Sequence, residues 1–235
     1  MIDFLTRRPI AHRGLHDGNV ARYENSLSAF EASVDGDYAI ELDVQLSADG
    51  VAMVFHDDTL DRLTAETGPV ADRNAEELRQ IRLGPTSDGI PSLADTLAFV
   101  DGRVPVVIEV KDNGARNATL AKAVAADLAG YDGPAAVMSF EHDILAAFRD
   151  TGSRAPLGLT AEGIGRPALA RHKEALALDV SFVSYHVKAL PNPFVTHVRD
   201  DLRLPVITWT VRTPEDVETT RRYADQMTFE GFDPG

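Results

Sequence analysis

Eight short β-rich runs alternate with helical patterns along almost the whole of this chain, and no other feature narrows its fold as much. The runs are Pro9–His12, Tyr38–Leu46, Val104–Lys111, Ala135–Phe140, Pro156–Thr160, Val180–His186, Pro205–Val211 and Ala224–Phe229. Between them, Glu24–Val34 carries Leu27, Phe30 and Val34 on one helical face, and Arg116–Ala129 is rich in alanine and leucine. Ser92 reads as the N-cap of Leu93–Val100, and Thr213, followed by Pro214, as that of Pro214–Ala224. Strands alternating with helices imply parallel βα units. Eight units in 235 residues fit an α/β TIM (β/α)8 barrel, typically about 250 residues long. A doubly wound open sheet is the competing architecture.

Two irregularities modify that plan. After Asp57 a long segment runs to about Pro91, with a helical patch at Asn74–Ile81 and several turn signals. It is too long for an ordinary connection and reads as a small insertion over the active face, roughly residues 57–91. The sequence also ends six residues past the eighth run, so a missing or vestigial last helix is expected, with Ile2–Arg8 as a candidate to cover that seam. No compositional break divides residues 1–235, which read as a single barrel domain.

Composition removes several function classes. With no cysteine, disulfides and thiolate zinc sites are excluded. MIDFLTRRPI lacks the basic-then-apolar order of a signal peptide, and no stretch approaches the roughly 20 apolar residues that cross a bilayer. A cytoplasmic location without stable membrane association is expected. The net charge of −14 argues against nucleic acid and anionic membranes as partners. It also means that an anionic substrate would need a local cation, which clustered carboxylates holding a divalent metal supply.

The segment Ile40–Asp58, IELDVQLSADGVAMVFHDD, concentrates the chemistry. Two strand-like runs flank Asp49-Gly50, a dipeptide suited to a two-residue hairpin turn. If the hairpin closes there, Val44 faces Phe55 and Asp43 lies opposite His56, with Glu41 on the same face. A three-residue turn would slip that register.

In a (β/α)8 barrel, polar residues at the C-terminal ends of strands face the reaction site. The first strand ends in His12-Arg13-Gly14; the second carries Glu41 and Asp43, with His56 returning beside them. The third ends in Glu109 and Lys111, and the seventh carries Trp209. Three convergent carboxylates repel unless a cation sits among them, and oxygen-only ligands favour Mg2+ or Ca2+ over zinc. Two histidines suit a reaction that needs a base and an acid near neutral pH. Arg13 and Lys111 suit the charge of a phosphodiester. Phosphodiester cleavage combines these parts.

The pattern I-A-H-R-G, then E-N-S at Glu24–Ser26, E-L-D-V from Glu41, F-H-D-D-T-L-D-R from Phe55, I-E-V-K from Ile108, S-F at Ser139–Phe140 and W-T-V from Trp209 resembles the glycerophosphodiester phosphodiesterase family across nearly the whole chain. The resemblance implies a TIM barrel with an insertion after the second strand. It implies His12 and His56 as the acid–base pair, Glu41, Asp43 and Glu109 as ligands of one divalent cation, and Arg13 and Lys111 at the phosphate. It also implies cleavage of glycerophosphodiesters to glycerol 3-phosphate and an alcohol through a cyclic phosphate. The chain departs from the family pattern at Tyr23, where a proline is frequent, at Arg212, where an asparagine follows W-T-V, and over Thr228–Pro234.

Simpler readings stand beside these. Glu109 and Lys111 could form a structural ion pair, and Trp209 could belong to the core instead of contacting substrate. Asn25 reads as a helix cap near the site, and Asp57-Asp58 as a loop cap. His16, His142, His172 and His197 read as solvent-facing, while His186 stands where it could line the pocket. Two alternative functions remain open: a sphingomyelinase D-like lyase that stops at the cyclic phosphate, and a non-catalytic barrel that binds a phosphorylated ligand. The oligomeric state is open, with the thinly covered eighth strand as a candidate homodimer seam.

Overall fold

The computed structural model describes residues 2–234. Its strands are β1 (Ile10–Ala11), β2 (Ala39–Leu46), β3 (Ala52–Val54), β4 (Val106–Val110), β5 (Ala135–Ser139), β6 (Leu157–Ala161), β7 (Phe182–His186), β8 (Val206–Val211) and β9 (Gln226–Phe229). All except β3 are parallel, and β1 pairs with both β2 and β9, so eight strands close into a barrel. The open sheet is thereby excluded. Each of the eight expected runs is a barrel strand, with no end shifted by more than two residues. β3 pairs antiparallel with β2 as a short hairpin arm.

The helices are α1 (Phe4–Arg7), α2 (Leu27–Asp35), α3 (Ala75–Gln80), α4 (Leu93–Val100), α5 (Asn117–Leu128), α6 (His142–Arg149), α7 (Arg166–Ala175), α8 (Pro193–Thr196) and α9 (Pro214–Tyr223). Several starts follow from side-chain caps: Ser92 accepts from the Asp95 amide, and Thr213 and Asp216 close a capping box. Alternation along the strands then separates two cores. Leu42, Val44 and Leu46 of β2 pack outward with Phe30 of α2 and Leu93, Leu97 and Val100 of α4. Inward, Ala39, Val107, Ala136, Met138, Phe182 and Ile207 fill the lower barrel. Gly158 of β6 makes room at its centre, since a Cβ there would meet the Phe182 ring at 2.3 Å.

The N-terminal segment meets the last strand at the bottom of the barrel, where the Gln226 side-chain amide donates to the Thr6 carbonyl at 3.2 Å and Leu5 of α1 joins the interior apolar cluster. The seam is closed by rings: Tyr38 lies against Phe229 (4.9 Å between centroids) and Phe232 against Phe229 (5.7 Å). The Tyr38 hydroxyl donates to Asp233 at 2.6 Å, which ties the C-terminal segment down.

One expectation is corrected: the hairpin register is one residue off. Val44 faces Val54 and Leu46 faces Ala52, because the turn uses three residues, with Gly50 at a φ of +88°. The Asp49 carboxylate accepts from Ser47 and from the Ala75 amide at the start of α3, which ties the turn to that helix. Asp43 therefore lies across from Phe55, whose amide donates to the Asp43 carbonyl at 3.0 Å. His56 reaches the barrel mouth from beyond the strand. The segment that follows wraps a small core of its own, made of Phe55, Leu60, Leu63, Val70, Leu78, Leu83 and Ile90.

Candidate active site

The same alternation that buries Leu42 and Val44 outward turns Glu41 and Asp43 into the barrel. On β4, Glu109 and Lys111 do likewise, and the parallel register sets Asp43 beside Glu109. The three carboxylates are buried, and one oxygen from each lies within 4.8 Å of the others. Lys111 Nζ donates to Asp43 Oδ1 at 2.9 Å and also to Glu109. The Glu109–Lys111 ion pair is thus real, but it is part of the cluster and no alternative to it.

Arg13 follows β1 with a φ of +55°, and Gly14, at +78°, packs so close to α2 that a Cβ would lie 2.9 Å from both Ala29 and Phe30. This turn aims the Arg13 amide at Glu41 Oε2 (2.9 Å) and its guanidinium at Glu24 (2.7 Å) and Asp43 (3.4 Å). Asn25 is not the cap of α2; Ser26 is. The Asn25 amide instead clamps Asp43, donating to Oδ2 at 2.9 Å and accepting from the backbone amide at 3.2 Å.

Electrostatics separates the carboxylates. Burial, then repulsion from Asp43 and Glu109, raises Glu41 well above the usual carboxylate range. Burial pushes Asp43 the same way, but Lys111 and Arg13 outweigh it and hold Asp43 below that range. Lys111 in turn is raised despite its own burial, because both acids favour its charge. The cluster contains more anionic groups than Lys111 neutralises and offers only oxygen donors. It is suited to a hard divalent cation.

Both histidines lie close enough to Asp43 for their charge to favour its ionised form. Each gives Nδ1 to a carboxylate: His12 to Glu230 at 2.7 Å, His56 to Asp57 at 2.7 Å. A carboxylate partner places the proton on Nδ1 and leaves Nε2 for a reacting group. Each carboxylate is held in turn by an arginine. Arg212 donates to Glu230 at 2.8 Å; Arg62 donates to Asp57 at 2.6 and 2.8 Å and reaches on to Glu24. On the far side of the mouth, Trp209 stands edge-on to Phe140 (5.5 Å) and against His186 (4.9 Å), half-buried.

Residues 12–227 match the model of the glycerophosphoryl diester phosphodiesterase family. The chain belongs to this family. Curated phosphodiesterase relatives include glycerophosphodiester phosphodiesterase 1 of Bos taurus, 27% identical over 191 residues that cover 73% of this chain and 57% of the relative. The glycerophosphodiester phosphodiesterase of Caldanaerobacter subterraneus subsp. tengcongensis is 38% identical over 110 residues, covering 43% and 44%. The matches thus span only about half the length of these relatives. Among solved structures, an Oleispira antarctica phosphodiesterase in complex with the product sn-glycerol-3-phosphate superposes with a TM-score of 0.84 at 22% identity, covering 97% of this chain and 94% of that one. A Parabacteroides distasonis glycerophosphodiester phosphodiesterase gives 0.77 at 22%, covering 94% and 92%. Both share the fold.

Within this family barrel, all eight residues singled out in the sequence stand at the C-terminal mouth. The motifs assigned no role to Arg62, placed Asn25 near the site but as a cap, and marked Arg212 and the stretch holding Glu230 only as departures. Asp57, read as a loop cap, holds His56. One histidine read as solvent-facing is not: His172 is buried and 3.3 Å from the Tyr185 hydroxyl, whereas His16, His142 and His197 are half-buried. The i, i+2 spacing of Glu41/Asp43 and Glu109/Lys111 signalled the cluster. Only the E-N-S motif and the H-D dipeptide offered a signal for Asn25 and Asp57.

Proposed function

We propose that this chain hydrolyses glycerophosphodiesters to glycerol 3-phosphate and an alcohol, with His12 and His56 as the acid–base pair and a divalent cation, Mg2+ or Ca2+, on Glu41, Asp43 and Glu109. The observation that carries this reading is the buried three-carboxylate cluster sharing one barrel mouth with two histidines, each tied at Nδ1 to a carboxylate.

When bound, the cation would draw charge from a phosphoryl oxygen and favour the transition state. Arg13 and Lys111 add fixed positive charge for the remaining phosphate oxygens. One histidine takes the proton of the glycerol hydroxyl adjacent to the phosphodiester through Nε2, as that oxygen bonds to phosphorus. The other histidine gives a proton to the departing alkoxide as its bond to phosphorus breaks. The product of this step is the alcohol and a cyclic phosphate. In the second step water bonds to phosphorus and loses its proton to one ring, while the cleaved ring oxygen takes one from the other. Glycerol 3-phosphate results, and both histidines return to their starting states. Trp209, with Phe140, offers an apolar wall to the substrate's carbon chain.

Release of glycerol 3-phosphate from glycerophosphocholine, measured with EDTA and then with added Mg2+ or Ca2+, tests the reading. Metal-dependent release is expected. A product lacking one water would indicate a lyase that stops at the cyclic phosphate, and saturable binding without turnover would indicate a binding protein. No helix among the described residues is long and apolar enough to cross a membrane.

A further inference from the structure

We propose that Arg212 and Glu230 form a two-residue positioning device for His12, in which Arg212 pins the Glu230 carboxylate and Glu230 fixes the ring orientation and tautomer of His12. The inference rests on the assignment of His12 as an acid–base residue. Its geometric basis does not. A single oxygen, Glu230 Oε2, receives both the His12 Nδ1 proton at 2.7 Å and an Arg212 guanidinium proton at 2.8 Å. The two residues come from separate strand ends: Arg212 directly follows β8, and Glu230 directly follows β9.

The backbone leaves this oxygen little freedom. The Glu230 amide donates to the Val211 carbonyl at 3.0 Å, and the His12 amide donates to the Phe229 carbonyl at 3.0 Å. β1, β8 and β9 are therefore laced together just below the triad. Arg212 is anchored at its own amide by Asp216 Oδ2, 3.2 Å away, at the capped start of α9. Burial alone would favour a protonated Glu230, but the bonds from His12 and Arg212 outweigh it and hold the group down to about 2. A permanently ionised acceptor keeps the proton on Nδ1. It also steadies the ring when Nε2 gains a proton, as the carboxylate of a hydrolytic triad does.

Three variants test this unit. Glu230→Gln keeps the shape and one acceptor but removes the charge; Arg212→Asn removes the pin; Arg212→Lys keeps the charge. The expected result is a fall in kcat on the order of 100-fold for Glu230→Gln and about tenfold for Arg212→Asn, with KM unchanged, and partial recovery in Arg212→Lys. Imidazole 15N signals of histidine-labelled protein, with His12 assigned by its loss in His12→Gln, read the tautomer without any substrate. They are expected to show Nδ1–H in the native chain and a mixture in Glu230→Gln. This second readout separates the inference from the assigned reaction: an inactive native chain would leave the tautomer result standing. The proposal is overturned if His12 shows the same nitrogen signals in the native chain and Glu230→Gln. It is also overturned if kcat is unchanged in both loss variants, or if their losses only follow a fall in melting temperature.

Discussion

The two histidine stations are chemically alike and mechanically different. Each is a histidine, a carboxylate and an arginine, yet His12 is held by residues that directly follow two barrel strands laced to its own, whereas His56 is held by the first residues of the insertion. The His12 side chain is 11% exposed and that of His56 30%. Glu230 is fixed by the sheet itself. Asp57 depends on Arg62, which bridges from the insertion to Glu24 beside the barrel. The barrel thus builds one station directly, and the second exists only when a separate small core is folded against the mouth.

The largest effect that would sharpen this contrast is loss of the shared centre. Asp43→Asn should reduce turnover to background, because Asp43 joins Lys111, Arg13 and Asn25 as well as the proposed cation. Added Mg2+ or Ca2+ should stabilise the native chain by about 2.7 kcal/mol at one hundred times Kd, seen as a higher melting temperature, and should not do so in Asp43→Asn. Calorimetry with and without EDTA checks both statements.

Next come two core substitutions. Phe182→Ala empties the centre of the barrel and should cost about 3–5 kcal/mol in denaturant unfolding; Leu78→Ala in the insertion core should cost about 2–5 kcal/mol. The comparison predicts that Leu78→Ala lowers kcat at temperatures where barrel circular dichroism is still native, and that Phe182→Ala does not. Equal behaviour of the two would dissolve the distinction between the stations.

A smaller effect is expected at Arg62. Arg62→Ala frees Asp57 and breaks the bridge to Glu24, and kcat should fall about tenfold with little change in melting temperature. Hydrogen exchange should show faster opening over the insertion and none over β1 and β9.

The smallest effect concerns pH. Glu230, held at about 2, and Glu24 and Asp43, also held low, favour the folded state at pH values above the ordinary carboxylate range near 4.5. That stability is lost as pH falls from about 4.5 toward 2. Glu230→Gln should flatten part of the acid slope of an unfolding curve; an unchanged slope would show that Glu230 is not held ionised by the fold.

The sequence made the barrel legible because strand and helix periods alternate cleanly and Ser92 and Thr213 mark helix starts. It made Glu41, Asp43, Glu109 and Lys111 legible because residues two apart on a strand must share a face. The partners of the histidines were less accessible. Glu230 lies 218 positions from His12, and only ring closure between β9 and β1 brings them together. The hairpin register slips because Asp49-Gly50 suits a two-residue turn by itself, whereas the turn also takes in Ala48 and the Asp49 carboxylate is engaged by α3, an element beyond the local sequence. Asn25 has cap chemistry, but a φ of +56° turns its amide to Asp43 and hands the cap to Ser26. In each case local propensity was outranked by a contact between distant segments.

The most direct measurement is kcat for glycerophosphocholine in His12→Ala, His56→Ala and the double variant, at saturating divalent cation. Each single variant should lose at least about 1,000-fold, and the double should lose little more, because in the proposed mechanism the two rings act as one acid–base unit. Native turnover in either single variant would contradict the account, since a station that can be removed without loss is not part of the reaction.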